Sequence, residues 1–353
     1  MIIYMKNCLW LTIILISIIY VSCERNSIID VDYVRAEKPN NVVSVDIDTT
    51  FMCEFPEISD ALDIQVIRDS IIIVHDKVSD ANIFHFKAYS LDSFNFLGEF
   101  ITNGRSSGEM ISPHIAKMLP SENDLYISQT SIGKSYAVDV QKSIYSGNTF
   151  ISEEYDLLPT TVDWLPLGDS LQLMLQYEQN EFVYQISGNT GESLHTYNLF
   201  DGIDASRYAT YLSQYMIYNR NLDKVAISMI FFPQIAIIDL DGGRHISTAV
   251  DKSYKNWQSV LYDRLDMETI QYYTGITVSD EQIFAAYRKS QLGMLYESGN
   301  GSAIHVFDWD GKFKNDIRVK ENIGQMAFDY RTKYLYCIEK SKGNIIRYDL
   351  KGL

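Results

Sequence analysis

From residue 41 onward the chain consists of short apolar runs separated by polar turns. Each run is rich in Ile, Val, Tyr and Phe, and Asp, Asn, Gly and Ser stand between the runs. The clearest runs are residues 70–75, 125–128, 225–228 and 334–338. No long stretch has the apolar spacing of an amphipathic helix. This pattern predicts an all-β protein.

A second kind of strand follows each of these runs a few residues later. It alternates apolar positions and ends in an Asp and a turn. The clear copies are residues 235–242, 304–311 and 345–352, and weaker copies are residues 84–92, 135–140 and 182–188. Glycine supplies the positive φ that a tight turn needs, and Asp can accept hydrogen bonds from the backbone that follows it.

The six copies are spaced like the blades of a propeller. Their aligned positions are Ser90, Asp139, Ser187, Asp239, Asp308 and Asp349. The spacings are 49, 48, 52, 69 and 41 residues. A repeat of about 40 to 50 residues is typical of four-stranded blades. We therefore predict a six-bladed β-propeller over residues 41–353.

The last copy has three strands, in residues 326–330, 334–339 and 344–350, before the sequence ends. Its fourth strand must come from elsewhere in the chain. Residues 41–48 alternate correctly and precede the first blade, so we predict that they complete the last blade and close the ring. Such closure hides strand edges that would otherwise promote aggregation.

The longest spacing includes about 20 residues more than an ordinary blade. We place this insertion at residues 250–273 and predict a short helix at residues 259–265. Long loops in compact domains often bind partners. The candidate ligand-binding residues are Trp257, Arg264, Tyr272 and Tyr273, although burial beneath loops is an alternative for each of these aromatic rings.

The N-terminus has the layout of an export signal. Lys6 precedes an uncharged run from residue 8 to residue 22, which is short for a transmembrane helix. The run ends at Cys23, where the sequence resembles a lipobox, except that Tyr20 replaces the usual aliphatic residue. We predict a lipoprotein signal peptide in residues 1–22, lipid on Cys23 and a polar tether in residues 23–40. An ordinary cleaved signal is the alternative.

Composition and charge narrow the classes of partner. The chain has 30 basic and 46 acidic residues and a net charge of −16. This balance argues against nucleic acid as a partner and against electrostatic adsorption to a membrane. Lipid would instead hold the protein to a membrane surface. Once the signal is removed and Cys23 is lipidated, Cys53 and Cys337 remain, and their spacing leaves open whether they pair.

Several segments carry a family resemblance. Residues 276–287 and 304–311 resemble the entry to the fifth blade, and its third strand and turn, in the TolB-like six-bladed propeller lipoproteins of Bacteroidetes. Residues 104–109 resemble the glycine-rich loop between the first two blades, with Ser106 and Ser107 replacing Gly and Pro. The resemblance implies the fold and a place in the cell envelope, and it supplies no catalytic residues.

The sequence contains none of the motifs that mark common catalytic or metal sites. It has no nucleophile elbow, phosphate-binding glycine loop, calcium loop or zinc-spaced histidine pair. We assign no catalytic residue, metal or cofactor. Asp308 and Asp310 are interpreted as turn residues because the same Asp recurs in other blades.

These features favour a binding or scaffold module for a peptide, protein or glycan on the cell envelope. We expect the protein in the outer membrane, and the sequence leaves open whether it is on the periplasmic or the surface face. A hydrolase or lyase acting at the central channel is the alternative. A role as a signalling or assembly partner, like that of the TolB propeller, is a third hypothesis.

Overall fold

The computed structural model describes residues 33–36, 38–46, 48, 55–78, 80, 83–119, 122–168, 171–178, 181–188, 192–197, 212–241, 244–251, 265–294 and 301–351. Two short strands precede the first blade: β1 (Tyr33–Ala36) and β2 (Asn41–Ser44). The remaining strands form six sheets in chain order. This arrangement confirms the predicted all-β six-bladed propeller.

The first three blades are meanders of neighbouring antiparallel strands. Blade one contains β3 (Ala61–Ile67), β4 (Ile71–Asp76), β5 (Phe84–Ser90) and β6 (Phe96–Thr102). Blade two contains β7 (His114–Ile115), then, after β8 (Lys117–Leu119), β9 (Asp124–Gln129), β10 (Lys134–Asp139) and β11 (Ile151–Asp156). Blade three contains β12 (Thr161–Gly168), β13 (Leu171–Glu178), β14 (Glu181–Gly188) and β15 (Ser193–Tyr197).

The last three blades follow the same plan. Blade four contains β16 (Gln214–Asn219), β17 (Lys224–Met229), β18 (Gln234–Asp239) and β19 (His245–Ala249). Blade five contains β20 (Ile270–Val278), β21 (Gln282–Gln291), β22 (Ser302–Asp308) and β23 (Phe313–Val319). Blade six contains β24 (Ile323–Phe328), β25 (Tyr334–Glu339) and β26 (Asn344–Asp349).

The core lies between neighbouring blades. Apolar side chains on facing sheets form shared clusters between blades one and two, among blades two, three and four, between blades four and five, and between blades five and six. Blades six and one also share a cluster, in which Tyr336 and Ile338 pack with Ile64 and Val74. Burial of this apolar surface holds the first and last blades together.

The predicted turn positions lie at or near the end of each third strand. In blade five, the Asp308 carboxylate accepts hydrogen bonds from the N–H groups of Asp310, at 3.1 Å, and Lys312, at 2.8 Å. Gly311 has a φ of +74°, and a Cβ there would lie 2.8 Å from a methyl carbon of Ile246. Glycine is therefore needed both for the turn and for contact with blade four.

Blade two departs from this turn. Asp139, which the repeat marks as a turn residue, instead begins a short helix, α1 (Val140–Ser146). Its carboxylate accepts a hydrogen bond from the N–H of Lys142 at 2.9 Å, as an N-cap residue does. The helix ends at Gly147, whose φ is +65°. One local preference of Asp therefore serves two different connections.

The segment predicted to complete blade six contacts two blades. Strand β2, which covers Asn41–Ser44, pairs in parallel with β23 at the outer edge of blade five. Asp48 reaches blade six, where its N–H donates to the carbonyl of Arg347 at 2.8 Å. Residue 47 and residues 49–54 lie outside the described residues, so completion of blade six stays a prediction.

Other predicted features are described only in part. Cys337 is buried and free, while Cys53 lies outside the described residues. Residues 1–32, which include the predicted signal and Cys23, also lie outside them, as do residues 252–264 of the predicted insertion. Within the described part of the chain, no helix is long and apolar enough to cross a membrane.

Candidate functional site

A cavity of about 440 Å³ lies where the inner strands of the propeller begin. Blades one, two, three, four and six all contribute residues to its lining. The ends of the second strands reach the same space through His75, Ser128 and Lys340. We call this cavity the axial pocket. Ligand sites in proteins commonly have volumes of about 300 to 1,000 Å³.

Strand β8 explains why the axis ends in a pocket. The chain leaves β7 after Ile115, and β8 pairs in parallel with β16 of blade four. Main chain from blade two therefore crosses toward blade four. The two residues after Lys117, Met118 and Leu119, are buried and pack in the apolar clusters between blades.

A bulge recurs near the start of the inner strands. In blade one the register shifts between Ala61 and Asp63, and in blade three it shifts between Thr161 and Asp163. Similar shifts occur in β20 and β24. A bulge bends a strand and re-aims its side chains. Here it leaves the skipped residues, Leu62 and Val162, exposed at the pocket.

One position in the inner strand of each blade, or in β8 for blade two, comes just before a buried residue. The six residues at this position, in blade order, are Asp63, Lys117, Asp163, Tyr215, Gly275 and Gln325. All except Gly275 line the axial pocket. A Cβ on Gly275 would lie 2.7 Å from the carbonyl oxygen of Gly324, so the backbones of blades five and six approach too closely for a side chain there.

One side of the pocket contains a complete polar network. The Lys117 ammonium lies 2.7 Å from the Asp63 carboxylate, and both side chains are more than four-fifths buried. It also donates to Gln325 Oε1 at 2.8 Å and to the carbonyl of Met326 at 3.3 Å. The Ile64 N–H donates to Asp63 at 2.8 Å. This network ties blades one, two and six together.

The other side contains a carboxylate without a cation. The Asp163 carboxylate accepts a hydrogen bond from the Trp164 N–H at 2.8 Å, just as Asp63 does from Ile64. No Lys, Arg or His of the described residues forms an ion pair with it. Burial raises the pKa of Asp163 to about 6, and the Trp164 N–H opposes that shift.

Gln214 lies near Asp163 in the pocket lining. Its amide nitrogen donates to the hydroxyl of Tyr184, while its Oε1 is buried and has no donor among the described residues. Burial raises the pKa of Tyr184, the bond from Gln214 lowers it, and the charge of Asp163 raises it further. Tyr184 therefore lies within electrostatic reach of both groups.

Three further titratable groups line the pocket. Burial, together with His85 and His114, lowers the pKa of His75 to about 3, so its ring is neutral. Burial lowers the pKa of Lys340, and the Asp63 carboxylate opposes this shift. Burial raises the pKa of Tyr215 to about 12. Lys340 forms no ion pair with a described residue.

The described residues contain no group of three or more His, Cys, Asp or Glu side chains suited to a metal ion. The pocket residues nevertheless carry both signs of charge, together with the amides of Gln214 and Gln325 and the hydroxyl groups of Thr130 and Tyr215. Such a lining can orient a polar ligand by hydrogen bonds and charge, but it does not by itself identify a reaction.

Two of the residues predicted to bind a ligand are described, and both lie in blade five outside the lining of the axial pocket. Tyr273 is fully buried in blade five, and its hydroxyl is 3.2 Å from Nδ1 of His305. Tyr272 is half-buried and packs near Tyr287. Trp257 and Arg264 lie outside the described residues. Stacking on a ligand requires an accessible ring, and the ring of Tyr273 is buried. The binding role of the four candidate residues stays a prediction.

The family of the chain follows from its sequence and its fold. A model of the TolB-like 6-blade propeller-like family matches residues 37–331. The chain belongs to this family. A search of curated proteins found no sequence that matches this TolB-like propeller.

Two solved structures resemble this TolB-like propeller. A member of the DUF4221 family from Bacteroides vulgatus has a TM-score of 0.53 and 11% identity, covering 89% of this chain and 96% of its own. A protein from Bacteroides fragilis, predicted to be exported, has a TM-score of 0.51 and 11% identity, covering 93% and 96%. At such identities the similarity shows the fold.

Sequence analysis did not identify the pocket residues of this TolB-like propeller. A signal was present, because Asp63 and Asp163 each interrupt an apolar inner strand one residue before a buried side chain. That pattern occurs in two blades, and a charged residue at such a position needs a partner or a function. The partner of Asp63 could not be read from the sequence.

Proposed function

We propose that this chain is a lipid-anchored protein of the cell envelope whose propeller binds a small polar ligand in the axial pocket. The observation that carries the proposal is the pocket itself, since five blades contribute charged and polar groups to one cavity of about 440 Å³. The sequence led us to expect a binding or scaffold module on the cell envelope, and this proposal specifies a small polar ligand and the axial pocket as its site.

The pocket has the features of a ligand site. Asp63 and Lys117 form a fixed wall, because each already has its partners. Asp163 and Gln214 retain acceptor oxygens that a ligand can use. Exposed Leu62 and Val162 stand at the edge and offer apolar contact. A few oriented polar groups beside apolar surface are typical of small-molecule recognition.

The envelope location rests on the N-terminus and on a structural neighbour. Residues 1–22 have the pattern of an export signal and Cys23 occupies the lipidation position. The neighbour from Bacteroides fragilis is likewise predicted to be exported. Anchoring is tested by metabolic labelling with a lipid precursor. Wild type should be labelled and Cys23→Ala should not, and equal labelling of the two would contradict the anchor.

Ligand binding is tested by equilibrating the purified protein with a small-molecule extract of envelope material and identifying retained solutes by mass spectrometry. Val162→Trp places a large ring at the pocket edge. Leu194→Trp is the matched control, because Leu194 is also exposed and lies on the outermost strand of the same blade. Retention should be lost in the first variant and kept in the second.

Two outcomes would contradict a ligand in the axial pocket. One is retention of every bound solute by Val162→Trp at the level of wild type. The other is that wild type retains no solute at all. The aromatic segment of residues 250–273 would then become the better candidate, and Trp257→Ala with Tyr272→Ala would test it.

A hydrolase or lyase at the same pocket is a second candidate. The observation that favours it is Asp163, because a carboxyl whose pKa is about 6 can exchange a proton near neutral pH. The two functions differ in the fate of the ligand. A solute recovered unchanged after long incubation supports binding, whereas a product that forms with wild type and not with Asp163→Asn supports catalysis.

A further inference from the structure

Two hydrogen-bond acceptors on one wall of the axial pocket lack donors. The Asp163 carboxylate has a single N–H donor, from Trp164, and no cation among the described residues. Gln214 is 9% exposed, and its Oε1 has no partner in the described part of the chain. In this orientation the amide nitrogen of Gln214 donates to the hydroxyl of Tyr184, and its oxygen is the unpaired end.

These two oxygens suit a primary ammonium group. Burying a carboxylate without a cation is unfavourable, and so is burying an amide oxygen without a donor. An ammonium supplies one positive charge and three N–H donors, so it can satisfy both. A calcium ion would need about six or more oxygen ligands, and these two side chains supply too few.

The opposite wall carries a positive charge. Blades three and six lie opposite each other in a ring of six, and Lys340 lines the pocket from blade six. Its aliphatic stem lies over Gly324, and its ammonium has no ion-pair partner in the described residues. Lys117 lies near it but is already bound to Asp63. Lys340 can therefore bind an acidic group.

We propose that the axial pocket recognises a small zwitterion of the amino acid or short-peptide class, with its ammonium at Asp163 and Gln214 and its carboxylate toward Lys340. This inference rests on the proposed function, which places a solute in the pocket. Leu62 and Val162 then contact the apolar side chains of the ligand. The paired Asp63 has no part in holding the ammonium.

The test uses three mixtures of dipeptides: one with free termini, one N-acetylated and one C-amidated. Each is equilibrated with the full propeller, retained peptides are identified by mass spectrometry, and dissociation constants of the tightest are measured by calorimetry. Free-termini dipeptides should bind best. Loss of either terminal charge should weaken binding about tenfold or more, as expected for hydrogen bonds between charged groups.

Variants locate the ammonium. Asp163→Asn should weaken the binding of free-termini dipeptides about tenfold and leave the weak binding of the N-acetylated peptides unchanged. Gln214→Met should weaken the same peptides by a smaller factor. Asp156→Asn is the control, because Asp156 is an exposed carboxylate outside the pocket that pairs with Lys134. It should bind like wild type.

The result that overturns the zwitterion is equal binding of acetylated and free peptides by wild type, a comparison that depends on no variant. Equal binding by wild type and Asp163→Asn overturns it as well. If other solutes occupy the pocket in a manner sensitive to Val162→Trp while free dipeptides do not, the zwitterion fails and the proposed function stands. If no solute does so, both fail.

Discussion

Asp63 and Asp163 occupy the same position in blades one and three, but only one of them has a cation. Each follows a bulge, each carboxylate accepts the next residue's N–H at 2.8 Å, and each faces the axial pocket. The Lys117 ammonium lies 2.7 Å from Asp63, whereas Asp163 has no ion-pair partner in the described residues. Equivalent backbone positions therefore have different electrostatic environments.

The difference shows how a repeated fold can acquire a site at one blade. The bulge and the N–H donor belong to the inner strand and are found in both blade one and blade three. The cation comes from blade two, where β8 leaves its own sheet for blade four and brings Lys117 between blades one and six. The network around Asp63 ties three blades together, while Asp163 is left with a partly buried charge that a ligand can neutralise.

The largest effect is expected from Lys117→Met. It leaves the Asp63 carboxylate without its cation and removes the donor to Gln325 and to the carbonyl of Met326. Breaking a buried pair in this way costs about 3 kcal/mol or more. Chemical denaturation at neutral pH should show this loss. A loss below about 0.5 kcal/mol would mean that the network does not stabilise the ring.

Asp163→Asn should have the opposite sign. The variant keeps an oxygen for the Trp164 N–H and removes the unpaired charge, so the ligand-free protein should gain about 1 to 3 kcal/mol at neutral pH. Denaturation curves of dialysed protein provide the measurement. A variant that is less stable than wild type would show that the charge of Asp163 has a stabilising partner.

The pH dependence of that gain follows from the pKa shift. Burial raises the pKa of Asp163 from 3.8 to about 6, so the folded protein holds this proton more tightly than the unfolded chain. The contribution of Asp163 to wild-type stability therefore falls as pH rises from about 4 to about 6. The gain of Asp163→Asn should be near zero below pH 4 and reach its full value above pH 6. A gain that does not change over this range would contradict the shift.

Asp63→Asn should have a smaller effect than Lys117→Met. The amide oxygen can still accept from the Lys117 ammonium and from the Ile64 N–H, so only the charge is lost. We expect a loss of about 2 kcal/mol, as for one hydrogen bond to a charged group. Measured beside Asp163→Asn, the same substitution should thus destabilise one blade and stabilise the other. Equal effects of the same sign would remove the distinction between the two carboxylates.

The smallest effects are expected at the pocket edge. Leu62→Ala and Val162→Ala shorten exposed side chains, which are 39% and 49% accessible. Each should change stability by less than about 0.5 kcal/mol. Both should nevertheless weaken binding of a dipeptide with a large apolar side chain more than binding of dialanine. An equal change for the two peptides would place the apolar side chain away from this edge.

Much of the blade structure could be predicted because it depends on local patterns. Asp308 ends a third strand and its carboxylate binds the turn, as its position in the repeat predicted. Asp139 shows the limit of this reasoning. The same residue type at the same repeat position begins a helix, because the following residues of blade two continue into α1 instead of a hairpin.

The position of Tyr273 shows what composition alone leaves open. Tyr273 is a candidate because it lies in a long aromatic segment, and the structure places it in the inner strand of blade five, where its ring packs against Tyr287 and His305. Composition alone cannot distinguish an aromatic ring that packs between blades from one that binds a ligand. Both roles place aromatic residues near the end of a strand.

The sequence by itself determined the number of blades and most of their strands and turns, since strand alternation and Asp turns act over a few neighbouring residues. The axial pocket was decided only by the tertiary structure. Lys117 and Gln325 are 208 residues apart and meet at 2.8 Å because the ring brings blades two and six to one axis. The same closure places a cation beside Asp63, and none of the described residues forms an ion pair with Asp163. This difference depends on contacts between residues far apart in the chain, so the sequence around each Asp does not show it.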